Sequence, residues 1–190
     1  MDLLKERILK DGKVAGDGIL KVDTFLNHQI DVFLLDEIGK EFYNYFKNKP
    51  ITKVLTVEAS GIAIGAALAK QFNVPLLFAK KTMSKNIDGE VYTATVKSYT
   101  KGLTYLICVA KKFLGKEDNV LLVDDFLANG SAMLGLAEIV NQSGATLSGA
   151  GIVIEKSFQP GIGRAKEAGI DVYSLAEIAS ISDGKATFKD

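Results

Sequence analysis

Residues 120–132 read VLLVDDFLANGSA. An apolar run enters two adjacent carboxylates, Asp124 and Asp125, and the small or polar residues Ala128, Asn129, Gly130, Ser131 and Ala132 follow closely. Burying such a pair without partners is costly. At the carboxyl end of a strand the same pair can accept hydrogen bonds from a sugar diol or face a hydrated cation. In an open α/β sheet that end is also where ligands bind. The residues after the pair lead into a helix start, where unsatisfied N–H groups and the positive end of the dipole favour an anion. Small side chains let a phosphate approach those amides closely. Taken separately, the carboxylates suit a solvated strand end, and Asn129 or Ser131 suits a plain N-cap. Taken together they describe one ligand, a ribose 5-phosphate.

Other phosphate-binding patterns fit poorly. A Walker A loop, G-x-x-x-x-G-K-[ST], is absent, and the GAG at 149–151 lies inside an apolar strand without the third glycine of a dinucleotide fingerprint. A receiver domain shares the apolar strand and acidic pair, but it needs a later aspartate and lysine on strands that this chain does not have room for. The single His28 excludes zinc sites built on a histidine pair and leaves Ser-His catalysis resting on one residue. His28 itself reads as a surface or hydrogen-bonded histidine. The single Cys108 cannot form an internal disulfide, and in the run YLICVA it reads as a buried hydrophobe in a reducing cytoplasm. Lys plus Arg number 23 and Asp plus Glu number 23, a balance that argues against nucleic acid as a partner. The N-terminus is charged and amphipathic rather than a secretory signal, and no apolar stretch reaches the ~18 residues needed to span a membrane.

Several elements must position these residues. The chain has 190 residues, 47% of them hydrophobic, enough for the core of one α/β domain. Residues 2–11 predict an amphipathic helix with Leu3, Leu4, Ile8 and Leu9 on one side. Residues 12–29 are glycine-rich and irregular, with a short extended piece. Asp31 caps a helix through about Lys47, carrying Leu34, Leu35, Ile38, Phe42, Tyr45 and Phe46, and Pro50 ends it. Strands then alternate with helices: a strand at 53–57, a helix at 61–72, a strand at 75–80, a strand at 119–124, a helix at 131–144, a strand at 145–155, a short helix at 161–169 and a last edge strand at 171–178. Continuous apolar strands in that order predict a doubly wound, mostly parallel sheet covered on both faces. A hairpin around Lys101 and Gly102 is inserted at 91–109, after a polar loop at 82–90.

With these elements in place, VLLVDDFLANGSA resembles the signature of the type I phosphoribosyltransferases, enzymes that use phosphoribosyl diphosphate (PRPP). VEASGIAIGAALA (57–69) resembles the diphosphate loop of their purine-using members. AKKTMSKNIDGEVYTATVKSYT (79–100) resembles their mobile catalytic loop with its flanking strands. GDGILKVDTFLNHQID (16–31) and GIVIEKSFQPG (151–161) are similar to bacterial members that use xanthine, so the resemblance covers nearly the whole chain. It implies a single phosphoribosyltransferase domain over 1–190, with a core of about 31–155 and a hood formed by about 1–30 with part of the C-terminal segment.

The activity implied is transfer of the 5-phosphoribosyl group of PRPP to xanthine, giving xanthosine 5′-monophosphate and diphosphate, by a cytoplasmic homodimer in purine salvage. By the same resemblance Asp124 and Asp125 hold the ribose beside an oxocarbenium-like centre, and 128–132 grip the 5-phosphate. Ala59, Ser60 and Gly61 offer amides to the diphosphate, although EASG alone also suits a turn with Ser60 as cap. One of Lys80 and Lys81, with Lys81 as the candidate, serves the diphosphate, and Mg2+ accompanies PRPP without a dedicated protein cage. Leu20 packs on the base, Asn27 hydrogen-bonds it, and Lys156 donates to an exocyclic oxygen. Phe158 is available to stack on the base but reads better as a core aromatic. Loop 82–90 is a lid. The alternatives are the same transfer to hypoxanthine, guanine or adenine, or a PRPP-sensing transcription regulator. For a regulator, the roughly thirty residues ahead of the long helix leave little room for a winged helix beside a hood.

Overall fold

The computed structural model describes residues 1–16, 19–81, 89–98, 103–182 and 184–189. The lid expected at 82–90 lies outside them except for Gly89 and Glu90, and so does the hairpin turn at Lys101 and Gly102. In chain order the elements are α1 (Asp2–Asp11), β1 (Lys13–Ala15), β2 (Ile19–Lys21), a wide helical turn (Asp23–Asn27), α2 (Val32–Phe46), β3 (Lys53–Val57), α3 (Ser60–Phe72), β4 (Leu76–Ala79), β5 (Val91–Ser98), β6 (Leu103–Ala110), β7 (Asn119–Leu127), α4 (Ser131–Ser143), β8 (Thr146–Lys156), α5 (Gly161–Glu167), β9 (Val172–Ser182) and β10 (Lys185–Phe188).

The central sheet has the order β10-β9-β8-β7-β3-β4, parallel throughout except for β10. β9 is therefore not the edge. It runs on to Ser182 and pairs with β10, which follows a turn at Gly184 with φ 73. The period of two along β7 distributes its side chains between two cores. Leu121 and Val123 join Ile38, Phe42, Ile64 and Leu68 of α2 and α3. Val120 and Leu122 join Met133, Leu136 and Ile139 of α4, with Val96 and Ile107 of the hairpin. Such a strand reads as continuously apolar because both of its faces are covered.

Helix α2 starts as expected, with Asp31 Oδ1 accepting from the amides of Phe33 and Leu34 at 3.1 Å each. Its buried stripe is Leu34, Ile38, Phe42 and Phe46, while Tyr45 is exposed. In α1 the apolar side narrows to Leu4 and Ile8, because Leu3 and Leu9 point to solvent. The irregular segment after α1 contains the β1–β2 ribbon and then the wide turn, which buries Phe25 and Leu26. The hairpin β5–β6 forms its own two-stranded sheet, tied to the main one by paired backbone bonds between Lys80 and Cys108 at 2.9 Å. No helix among the described residues is long and apolar enough to cross a membrane.

α2 lies close to the sheet because β8 carries Gly151, where a Cβ would stand 2.9 Å from the Phe42 ring. Gly151→Val should therefore push the ring off the strand and cost about 1–3 kcal/mol of stability. Urea unfolding followed by circular dichroism reads this directly, and a wild-type midpoint would refute the close approach.

Candidate functional site

β7 carries the chain out of the core and into the site. It continues three residues beyond the expected end at 124, so Asp124 and Asp125 lie within the strand. Asp124 is buried, only 7% exposed, and Asp125 is half-buried. Asp124 Oδ1 accepts from the Asp125 amide at 3.0 Å, and Asp125 Oδ1 accepts from the Phe126 amide at 3.0 Å. Burial first, and then the neighbouring Asp125, hold the Asp124 carboxyl well above the ordinary carboxylate range; the charge of Lys81 opposes them.

Lys81 comes to this point from the end of β4. Its amide donates to Glu58 Oε1 at 2.6 Å, and its Nζ stands 5.4 Å from the centroid of the Tyr105 ring. Burial and the nearby Asp124 raise the Tyr105 phenol. Lys81, Tyr105 and the carboxylate pair thus share one region. Lys80 is joined through its backbone to Cys108. The structure therefore distinguishes the two adjacent lysines by placing Lys81 beside the acids.

The turn from β3 into α3 carries Glu58, Ala59, Ser60 and Gly61, and the Glu58–Ala59 peptide is cis. α3 begins at Ser60 with Ala59 as N-cap and no side-chain cap, which corrects the reading of Ser60 as the cap. Glycine is required at 61 because a Cβ there would fall 1.8 Å from the Thr56 hydroxyl. That hydroxyl is buried and has no hydrogen-bond partner among the described residues.

The loop after β7 turns at Gly130, whose φ of 81 is the left-handed conformation that glycine accepts without strain. Gly130 is the N-cap of α4, so neither Asn129 nor Ser131 occupies that place. The Asn129 side chain instead folds forward and accepts from the Ser131 amide at 3.0 Å. One amide expected to be open is thus engaged. Residues 128–132 line a hollow together with Phe126 and, from the hairpin, Val96, Lys97 and Tyr105.

The expected base-binding residues are spread across the chain. Asn27, at the end of the wide turn, donates through Nδ2 to Asp125 Oδ2 at 3.0 Å, which joins a residue expected at the base to one expected at the ribose, 98 positions away. Lys156, at the end of β8, is half-buried; burial lowers the pKa of its amine, and its Nζ stands 5.7 Å from the Phe126 ring centroid. Leu20 is buried in the apolar core, opposite Val14 in the β1–β2 ribbon. His28 is exposed. Phe158 is 47% exposed, which overturns the expectation of a core aromatic. The sequence reading missed Phe126, Tyr105 and Glu58. Phe126 lies between the strand expected at 119–124 and the turn at 128–132, and nothing local to Tyr105 or Glu58 shows that the hairpin and the β3 turn reach the same place.

Residues 21–166 match the family described as "Phosphoribosyl transferase domain". The xanthine phosphoribosyltransferase of Ruminiclostridium cellulolyticum is 57% identical over 190 residues, covering all of both chains, and that of Clostridium novyi is 53% identical with the same coverage. Among solved structures, the APRTase of Giardia lamblia superposes with a TM-score of 0.79 over 93% of this chain and 98% of its own, at 23% identity. The adenine phosphoribosyl transferase of Trypanosoma brucei gives 0.78 over 95% and 81%, at 21% identity. These structures share the fold, a mostly parallel central sheet flanked by helices. The chain belongs to the phosphoribosyltransferase family.

Proposed function

We propose that this chain transfers the 5-phosphoribosyl group of PRPP to xanthine, forming xanthosine 5′-monophosphate and diphosphate in purine salvage. The observation that carries the reading is the convergence of Asn27 and Lys156 on β7, at Asp125 and Phe126, beside the 128–132 turn. The residues read as sugar, phosphate and base contacts then meet along the end of β7. The full-length relatives named as xanthine phosphoribosyltransferases support the choice of base.

In the reaction a purine nitrogen bonds to C1 of the ribose, and the N–H proton of the imidazole ring passes to solvent. The C1–oxygen bond to diphosphate breaks, and diphosphate leaves with the electron pair. The positive charge that develops on the ribose is stabilised by Asp124 and Asp125, which also accept from its hydroxyls. The amides around 128–132 orient the 5-phosphate. Ala59, Ser60 and Gly61 receive the diphosphate at the start of α3, with Lys81 as counter-charge.

Mg2+ fits this donor set. Asp124 and Asp125 place hard carboxyl oxygens side by side, and such an ion keeps several waters and binds substrate phosphates. Bound, it supplies counter-charge to the diphosphate. Lys156 suits an oxopurine because an ammonium donates and cannot accept, and adenine would present a second donor there. The chain acts in the cytoplasm as a homodimer, for which the exposed Val32 and Phe33 of α2 and Leu103 and Leu106 of the hairpin supply apolar contact.

Product formation from PRPP with xanthine, guanine, hypoxanthine and adenine tests the assignment. Xanthine should give the highest kcat/KM, adenine no detectable product, and chelation of magnesium should abolish turnover. Faster conversion of another base would overturn the choice of xanthine.

Asp124→Asn should uncouple stability from activity. Because the folded-state pKa of Asp124 is raised, the folded chain holds a proton that the unfolded chain releases in the ordinary carboxylate range. Stability of the unliganded protein therefore falls as pH rises from that range through the folded pKa. Asparagine removes this dependence, so the denaturation midpoint at neutral pH should rise while kcat falls about a hundredfold. Thermal melts across pH, paired with initial rates, check both; a lower midpoint together with lower activity would make Asp124 a structural residue. Lys156→Ala should raise KM for xanthine about tenfold or more, as for loss of a charged hydrogen bond, and leave KM for PRPP within about twofold. An unchanged KM for xanthine would remove Lys156 from base binding.

A further inference from the structure

We propose that Arg164 is a positioning residue for the 5-phosphate turn: with Gly161, it pins the turn's carbonyls to α5 so that the intervening amides are presented to the phosphate. The inference rests on the phosphate-binding reading of residues 128–132 above. Three short contacts carry it. Arg164 Nη1 donates to the Asn129 carbonyl at 2.8 Å. The Gly161 amide donates to the Ala128 carbonyl at 2.9 Å. The two chain segments also touch directly: a Cβ on Gly130 would lie 3.2 Å from the Gly161 Cα, and one on Gly161 would lie 2.5 Å from the Ala128 carbonyl oxygen.

The physical reason follows from the peptide unit. A turn of small residues around a positive-φ glycine has many accessible backbone states, and a carbonyl rotated toward a phosphate would repel it. In a trans peptide the N–H points opposite to the C=O. Tying the carbonyls of residues 128 and 129 to α5 therefore turns the amides of Asn129 and Gly130 away from α5. Preorganising donors in this way removes an ordering cost that binding would otherwise bear. Arginine suits the task because it keeps its charge at all working pH values. That charge lies behind the turn and adds to the positive potential in front of it. Arg164 acts through the Asn129 peptide rather than on the ligand. It is half-buried, so replacing it leaves the core intact.

The test compares wild type with Arg164→Met, Arg164→Lys and Gly161→Ala. Calorimetric titration with ribose 5-phosphate is read beside KM for PRPP, KM for xanthine and the melting temperature. Arg164→Met should weaken ribose 5-phosphate and raise KM for PRPP by about tenfold, the scale of one hydrogen bond from a charged donor. KM for xanthine should stay within about twofold and the melting temperature within a few degrees. Arg164→Lys should recover part of the loss, because an amine can reach the same carbonyl. Gly161→Ala should weaken the phosphate although no charge changes. Arg164→Met binding ribose 5-phosphate as tightly as wild type would overturn the inference and leave the proposed function standing. A parallel loss of xanthine affinity and melting temperature would overturn it as well, making Arg164 a general structural residue. If wild type itself failed to bind ribose 5-phosphate, the phosphate-site reading would fall, and this inference with it.

Discussion

The structure is organised around an unfavourable placement: two carboxylates carried on one strand into a site where the first of them is buried. Asp124 is covered on the way out of the sheet and has another acid as its immediate neighbour. Burial of a lone carboxylate favours its neutral form. Here the groups that soften the cost come from elsewhere in the chain, with Lys81 from the end of β4 and Asn27 from the N-terminal segment. The pair is thus incompletely compensated by the protein alone. Groups that donate hydrogen bonds or carry positive charge are the complementary species, because they offer what the two acids lack. Sites that depart from good core chemistry in this way are where function is expected to lie.

Around that pair the fold separates two tasks. The sheet and its two helical layers are apolar and tightly packed, and they hold β7 in place through alternating contacts with α3 and α4. The two carboxylates stand near the end of β7, and the turns at the carboxyl edge of the sheet lead into two helix starts, at Ser60 and Ser131. Glycines at 61, 130 and 161 let the chain approach itself without a Cβ in the way. Rigid strands with small-residue turns give a preorganised pocket, and preorganisation is what electrostatic stabilisation of a charged transition state requires.

The hairpin β5–β6 and the segment before α2 bring in groups of a different kind. Tyr105 comes from one and Asn27 from the other, and both meet β7. Neither segment belongs to the parallel sheet. They act as walls, one beside the 128–132 turn and one beside the carboxylates. Both walls are anchored in the core, the hairpin through Val96 and Ile107 and the N-terminal segment through Phe25 and Leu26.

The alternation of strands and helices, the Asp31 cap, the covered strands and the tandem of acids and small residues were all legible in the sequence, because each is local. Period, capping and loop chemistry act over a few residues, and VLLVDDFLANGSA carries its chemistry within thirteen. What the sequence could not determine was distance. That Asn27 reaches Asp125, that Lys81 rather than Lys80 stands by the acids, and that Arg164 holds the Asn129 carbonyl are consequences of three-dimensional packing. The end of β7 and the covering of β9 by β10 belong to the same class, since a strand extends as far as its neighbours supply hydrogen bonds. Local pattern selected the elements and the chemistry. Only tertiary structure selected the partners, because hydrogen bonds and charges act over a few ångströms in space and not along the chain.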